Sequence, residues 1–172
     1  ESVNAVVKSI CDIMRRSNCA GALQYVPELT WILFLRILDE RETHEADEAA
    51  ALGLPFVPSL NAPLRWRDWA APDSPRRQDK DPAASVWTFV HAELLPYLKQ
   101  LKNMPGAAPR QKVISEIMAG VERSRVDSEK NFCDVLDKVH QISAENVDTT
   151  HVFTLSQVYE GLLLKMGEKG ND

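Results

Sequence analysis

The sequence predicts an all-α fold: an irregular bundle of about six to eight helices around one central apolar helix, with one long Pro-rich insertion. Three observations predict it. From Leu29 to Leu38 only Thr30 and Arg36 are polar, so at about 100° per residue apolar groups point to every side of a helix. The run stops at Asp39, well short of the roughly 20 residues a membrane span needs, so protein must surround it. Elsewhere apolar residues recur at three- and four-residue spacing, and outside residues 56–69 no stretch alternates in the manner of a strand.

In chain order, Val3, Val6, Val7, Ile10, Ile13 and Met14 give a one-sided first helix, with Ser2 as its cap and Arg15 and Arg16 at its C-terminal end. Residues 17–25 connect it to the central helix, with Asn18 and Gly21 as turn residues. Pro27 suits a first turn and Glu28 suits the positive end of the helix dipole, so the central helix is expected to begin there. Trp31, Phe34 and Leu35 are its expected core anchors. Arg36 costs free energy in such a wall unless paired, and Asp39 or Glu40 lies within reach, placing it at a rim or in a buried pair. The charged run from Asp39 to Glu48 continues the helix as a solvated extension ending at Gly53. Residues 53–82 contain Pro55, Pro58, Pro63, Pro72, Pro75 and Pro82, which break regular elements. The same insertion carries Phe56, Val57, Leu60, Leu64, Trp66 and Trp69 as anchors. Arg65 to Trp69 reads equally as a short strand or a turn of helix.

Helix resumes near Pro82 or Ser85 with Val86, Phe89, Val90, Leu94, Leu98 and Leu101 on one stripe, and Pro96 marks a kink or junction. A turn over 103–109 precedes a short helix with Val113, Ile114, Ile117 and Met118 that ends at Gly120. Ser128 caps a helix bearing Phe132, Val135, Leu136, Val139 and Ile142. Asp148 to Thr150 opens a last helix with Val152, Phe153, Leu155, Val158, Tyr159, Leu162, Leu163 and Met166, and residues 167–172 read as a mobile tail. Residues 1–166 thus form a single expected domain.

Charge and cysteine content narrow the function. The 172-residue chain carries a net charge of −5, so no overall basic field draws in nucleic acid and any DNA contact must be local. Three cysteines (Cys11, Cys19 and Cys133), none in C-x-x-C spacing, fit a reducing cytoplasm better than a disulfide scaffold or a zinc site. No secretory leader is visible. The first residue is Glu1 rather than Met, as in a trimmed chain or a fragment.

Catalytic patterns are mostly missing. The sequence contains no G-x-G-x-x-G, no G-x-x-x-x-G-K-S/T and no G-x-S-x-G. His44 with Glu45 and Glu48 makes half of an H-E-x-x-H zinc site without its second histidine, and a solvated acidic face accounts for it more simply. His91 with Glu93, or His151 with Asp148, would make an acid–base pair only if the fold brought a substrate to them. Cys133, beside Phe132, reads as core packing. No catalytic, cofactor-binding or metal residue is assigned. The tryptophans of the insertion read first as anchors. Arg65, Arg67, Arg76, Arg77 and Lys80 remain as candidate phosphate contacts, with ion pairs to nearby aspartates as the competing reading.

Two stretches carry a family resemblance. Leu33-Phe34-Leu35-Arg36-Ile37-Leu38-Asp39-Glu40-Arg41 resembles the core motif of the N-terminal helical domain of type I restriction–modification methyltransferase (M) subunits. Val158-Tyr159-Glu160-Gly161-Leu162-Leu163-Leu164-Lys165-Met166 is similar to the helix just before that family's catalytic domain. The order and spacing of the two also fit. The resemblance implies a parent that is an N6-adenine DNA methyltransferase using S-adenosylmethionine. Neither the family's glycine-rich loop nor its Asn/Asp-Pro-Pro-Phe/Tyr tetrad occurs here, so this stretch alone is expected to be inactive. The implied role is to help clamp double-stranded DNA in the assembled complex. The implied partners are the specificity subunit, a second M subunit and, indirectly, the restriction subunit, with no membrane. A purely structural protein–protein adaptor is the alternative. The resemblance gives no role to insertion 53–82.

Overall fold

The computed structural model describes residues 3–17 and 22–142. The Ser2 cap, Cys19, His151, the helix expected over 148–166 with Tyr159, and the tail at 167–172 lie outside the described residues.

All regular elements among the described residues are helical: α1 (Val3–Arg16), α2 (Ala22–Ala51), α3 (Trp66–Trp69), α4 (Pro75–Gln78), α5 (Val86–Phe89), α6 (Leu95–Gln100), α7 (Pro109–Met118) and α8 (Glu129–His140). The central helix is longer than expected at its N-terminal end. It begins at Ala22 and holds Pro27 in its interior. Pro27 forfeits one backbone hydrogen bond, and the burial of the apolar run behind it outweighs that loss. Trp31, Ile32, Leu33, Leu35 and Leu38 are buried, and Leu29, Phe34 and Ile37 pack against the core half-covered. Glu28 therefore does not sit at a helix start. It is buried and receives Ser124 Oγ–H at 2.5 Å and the Arg125 N–H at 3.1 Å.

The far end of α2 closes as its composition predicts. Gly53 adopts φ 68°, the Gly53 N–H reaches the Ala50 carbonyl at 3.1 Å, and the Leu54 N–H reaches Ala49 at 2.8 Å. Only glycine enters this left-handed conformation without strain, and the paired bonds satisfy the last helical carbonyls.

Around α2, α1 buries Val6, Ile10, Ile13 and Met14 and packs on α8. Ser128 caps α8 by accepting the Asn131 N–H at 3.0 Å. That helix brings Phe132, Val135, Leu136 and Val139 inward, and the Phe132 ring lies 6.4 Å from that of Trp31. α5 and α6 are not separated by a break at Pro96. A π turn over Val90–Leu94 fuses them, and the Leu95 N–H bonds back to the Val90 carbonyl. The wider turn falls immediately before the residue that cannot donate, so the rod continues past Pro96.

The insertion is ordered by its tryptophans. Arg65–Trp69 is a turn of helix, not a strand. Trp66 and Trp69 are buried with centroids 5.6 Å apart in an edge-to-face pair, and Trp69 lies 6.2 Å from Phe89. Burying two such rings contributes roughly 4–6 kcal/mol each in gross transfer free energy. That explains how a Pro-rich stretch holds one path without backbone ladders.

Candidate assembly surface along the second helix

The charged half of α2 forms a row of carboxylates, and three of them, Asp39, Glu42 and Glu45, are bound by arginines from other segments. Arg36 is buried, pairs with Glu40 one turn along, and donates to the His140 carbonyl at 3.0 Å. Asp39 takes three bonds from Arg67, at 3.1, 3.4 and 2.9 Å, and Thr43 Oγ receives a fourth at 2.5 Å. Glu42 is buried and accepts from the Ser59 N–H at 2.8 Å, the Ser59 hydroxyl at 2.5 Å and Arg110 at 3.0 Å. Arg110 also grips Glu45 at 2.5 and 3.1 Å. The Arg110 bond holds the Glu45 carboxyl below its usual range, and the two carboxylates hold the guanidinium above its own. α7 and the insertion are thereby stapled to one side of α2. Glu42, Glu45 and Arg110 were not singled out in the sequence as a bridge, because a pairing across 68 positions leaves no local pattern.

The five expected phosphate contacts do not form one patch. Arg65 is a fork onto Asp68, at 2.9 and 3.0 Å, and Arg67 is held by Asp39. Arg77 is largely covered, with one bond to the Ala70 carbonyl at 3.0 Å and a pair with Asp137 at 2.8 Å. Arg76 lays its guanidinium 4.1 Å above the Phe89 ring centroid. Lys80 is exposed. Among the described residues only Arg76 and Lys80 of the five show no carboxylate partner.

Two histidines, His91 and His140, serve as structural acceptors. His91 Nδ1 lies 2.7 Å from the Trp87 carbonyl and Nε2 takes the Ser124 N–H at 2.8 Å, which requires the neutral ring protonated at Nδ1. His140 Nδ1 accepts the Trp66 indole N–H at 3.0 Å, so it too must be neutral. Burial pushes both below the usual histidine value of 6.5. The depressed values fix the sign of the pH effect. Stability from these rings is full above 6.5 and is lost as pH falls through their folded values. The melting temperature should therefore drop between about pH 7 and about pH 5, and His140→Gln should flatten part of that slope. Glu28 opposes the trend, because burial raises its carboxyl. A melting temperature that rises on acidification would contradict the assignment.

His44 Nε2 sits 3.0 Å from Glu48 in an exposed pair one turn apart. Among the described residues no cluster of His, Cys, Asp and Glu is placed to hold a metal ion. Burial pushes the Cys133 thiol up to about 12, as befits a packing residue.

A groove of about 190 Å³ runs between α2 and the insertion, floored by Leu35, Leu38, Phe56 and Trp66, with Asp39 and Arg67 at its rim. It is smaller than the roughly 300 Å³ at which small-molecule sites begin, and none of its lining residues is a glycine that would let a backbone approach a cofactor. This groove among the described residues is too small for S-adenosylmethionine. No helix among the described residues is long and apolar enough to cross a membrane.

Fold and surface together define an α-helical domain whose polar groups bind its own segments to one another. Comparison with known proteins places that class in a family: the model described as the HsdM N-terminal domain matches residues 3–144, and the chain belongs to this family. It is 28% identical to the type I restriction enzyme EcoEI methylase subunit of Escherichia coli, over 99% of this chain and 32% of the relative. It is similar to the structure of a modification subunit assigned to a type I restriction enzyme of Vibrio vulnificus YJ016, with TM-score 0.71 and 29% identity over 98% of this chain and 36% of that one. A second solved chain, from work on complex assembly and conformational transition of the type I restriction–modification system, aligns with TM-score 0.64 and 35% identity over 95% of this chain and 30% of that one. The chain spans about a third of the length of these relatives.

Proposed function

We propose that the chain is the N-terminal helical domain of an N6-adenine DNA methyltransferase subunit of a type I restriction–modification system. In this reading it helps assemble that subunit with the specificity subunit and a second methylase subunit, and helps close the complex around double-stranded DNA. The single observation that carries the reading is the family match over residues 3–144. The second solved relative was determined to explain complex assembly, which supports the assembly half. S-adenosylmethionine and the transfer step belong to the whole enzyme in this reading and are assigned to no residue here. A cytoplasmic setting and an indirect link to the restriction subunit come with it.

The DNA half narrows to Arg76 and Lys80, because Arg65, Arg67 and Arg77 already spend their charge on carboxylates. In the complete methyltransferase complex, Arg76→Ala with Lys80→Ala should weaken DNA binding and reduce its log–log salt slope by about 0.9 for each phosphate that is no longer neutralised. Arg65→Ala should change stability rather than the slope. An unaltered slope in the double variant would leave the adaptor reading, with no DNA contact from this domain.

A further inference from the structure

Two arginines outside the five expected contacts are also without a carboxylate. Arg123 and Arg125 lie in the segment between α7 and α8, both exposed, and neither is within ion-pairing distance of an acidic side chain among the described residues. Burial alternates along this stretch: Ser124 and Val126 turn inward, and Arg123 and Arg125 leave it on the solvent side. Its backbone is fixed from two directions. On α2, Glu28 accepts the Ser124 hydroxyl at 2.5 Å and the Arg125 N–H at 3.1 Å. On the rod that begins with α5, His91 Nε2 takes the Ser124 N–H at 2.8 Å, and the Trp87 indole donates to the Val126 carbonyl at 3.0 Å. The Arg123 guanidinium lies 5.6 Å from the Trp87 ring centroid, as that of Arg76 lies over Phe89 two positions further along α5. An arginine forked onto a carboxylate, as Arg65 is onto Asp68, has its donors occupied; one laid against an aromatic ring keeps its charge and its N–H fork available. Glu122 and Asp127 are exposed on either side, so the stretch has no net charge and draws in no polyanion from a distance. What it offers is two guanidinium groups on a backbone already ordered, which lowers the cost of a contact once a ligand is near.

We propose that residues 121–127 form a phosphate-gripping loop, in which Arg123 and Arg125 hold backbone oxygens of double-stranded DNA. The proposal rests on the DNA half of the reading above, and it adds to Arg76 and Lys80 a second contact seated on the same helix, α5. Two planar donor forks two residues apart call for two acceptor groups at a short, regular interval, and a nucleic-acid strand presents one phosphate at every nucleotide. Such a contact positions the complex on the duplex and carries no sequence information. Glu28, Ser124 and His91 are positioning residues in this scheme: they hold the loop and touch no phosphate.

The test uses the complete methyltransferase complex and duplex DNA titrated over a range of salt. Arg123→Ala with Arg125→Ala should weaken binding about tenfold or more and lower the log–log salt slope by about 1.8, the value for two phosphates no longer neutralised. The loss should be equal on specific and non-specific duplexes. Arg123→Lys with Arg125→Lys keeps both charges without the forks, so it should restore the slope and only part of the affinity. Both pairs alter exposed side chains and should melt close to the parent. An unaltered slope in the alanine pair, with the slope lowered in the Arg76→Ala, Lys80→Ala variant, would overturn the loop and leave the DNA half standing. An unaltered slope in both would overturn the two together. Weakened assembly with the specificity subunit or a second methylase subunit, with the DNA slope intact, would overturn the proposal in favour of an acidic protein surface.

Discussion

Leu35→Asp is expected to abolish cooperative folding of the domain. Leu35 lies at 3% exposure in the middle of α2, where Trp31, Ile32 and Leu38 are also buried. Losing the leucine alone costs roughly 2–5 kcal/mol, and an unpaired buried carboxylate adds several kcal/mol more, which together rival the entire stability of roughly 5–15 kcal/mol of a typical domain. The nearest cation along the helix does not relieve it: Arg36 is held by Glu40 and the His140 carbonyl. Leu35→Met, close in volume, should cost less than about 1.5 kcal/mol. Circular dichroism melts of the parent and both variants decide the matter. A native-like transition in the aspartate variant would mean that α2 is not the core helix.

This core was legible because burial on all sides leaves a mark in one contiguous stretch. Leu29 to Leu38 shows it, and Gly53 shows where the rod ends. The start of α2 was not legible. Pro27 carries a strong local signal for a helix beginning, yet the helix already begins at Ala22. The tryptophans of the insertion were legible as anchors, yet the partners of its arginines were not. Arg67 meets Asp39 across 28 positions, and Arg110 meets Glu42 across 68. Aspartates near Arg76 and Arg77 in sequence offered local ion pairs, whereas the fold carries Arg77 to Asp137 on α8. Counting basic residues therefore overstated the charge available to a phosphate.

Trp66→Ala should be the second most damaging change, and its damage should be regional. The indole is 2% exposed, meets Trp69 edge to face, and donates to His140 Nδ1 with the two rings parallel to within 4°. Truncating a buried aromatic of this size costs roughly 3–5 kcal/mol. The residues it releases are those that Arg67 and Arg65 tie to Asp39 and Asp68, and two partly exposed ion pairs are too few to hold the insertion alone. Amide exchange should accordingly quicken over residues 59–74 while the packing of α1 on α8 stays protected. Trp66→Phe keeps much of the packing but loses the N–H, so its smaller penalty isolates the bond to His140. Because that bond needs the neutral imidazole, the phenylalanine variant should also lose part of the acid sensitivity of the parent. A Trp66→Ala protein destabilised by less than about 1 kcal/mol would mean that the insertion is held by its ion pairs and not by its aromatic anchors.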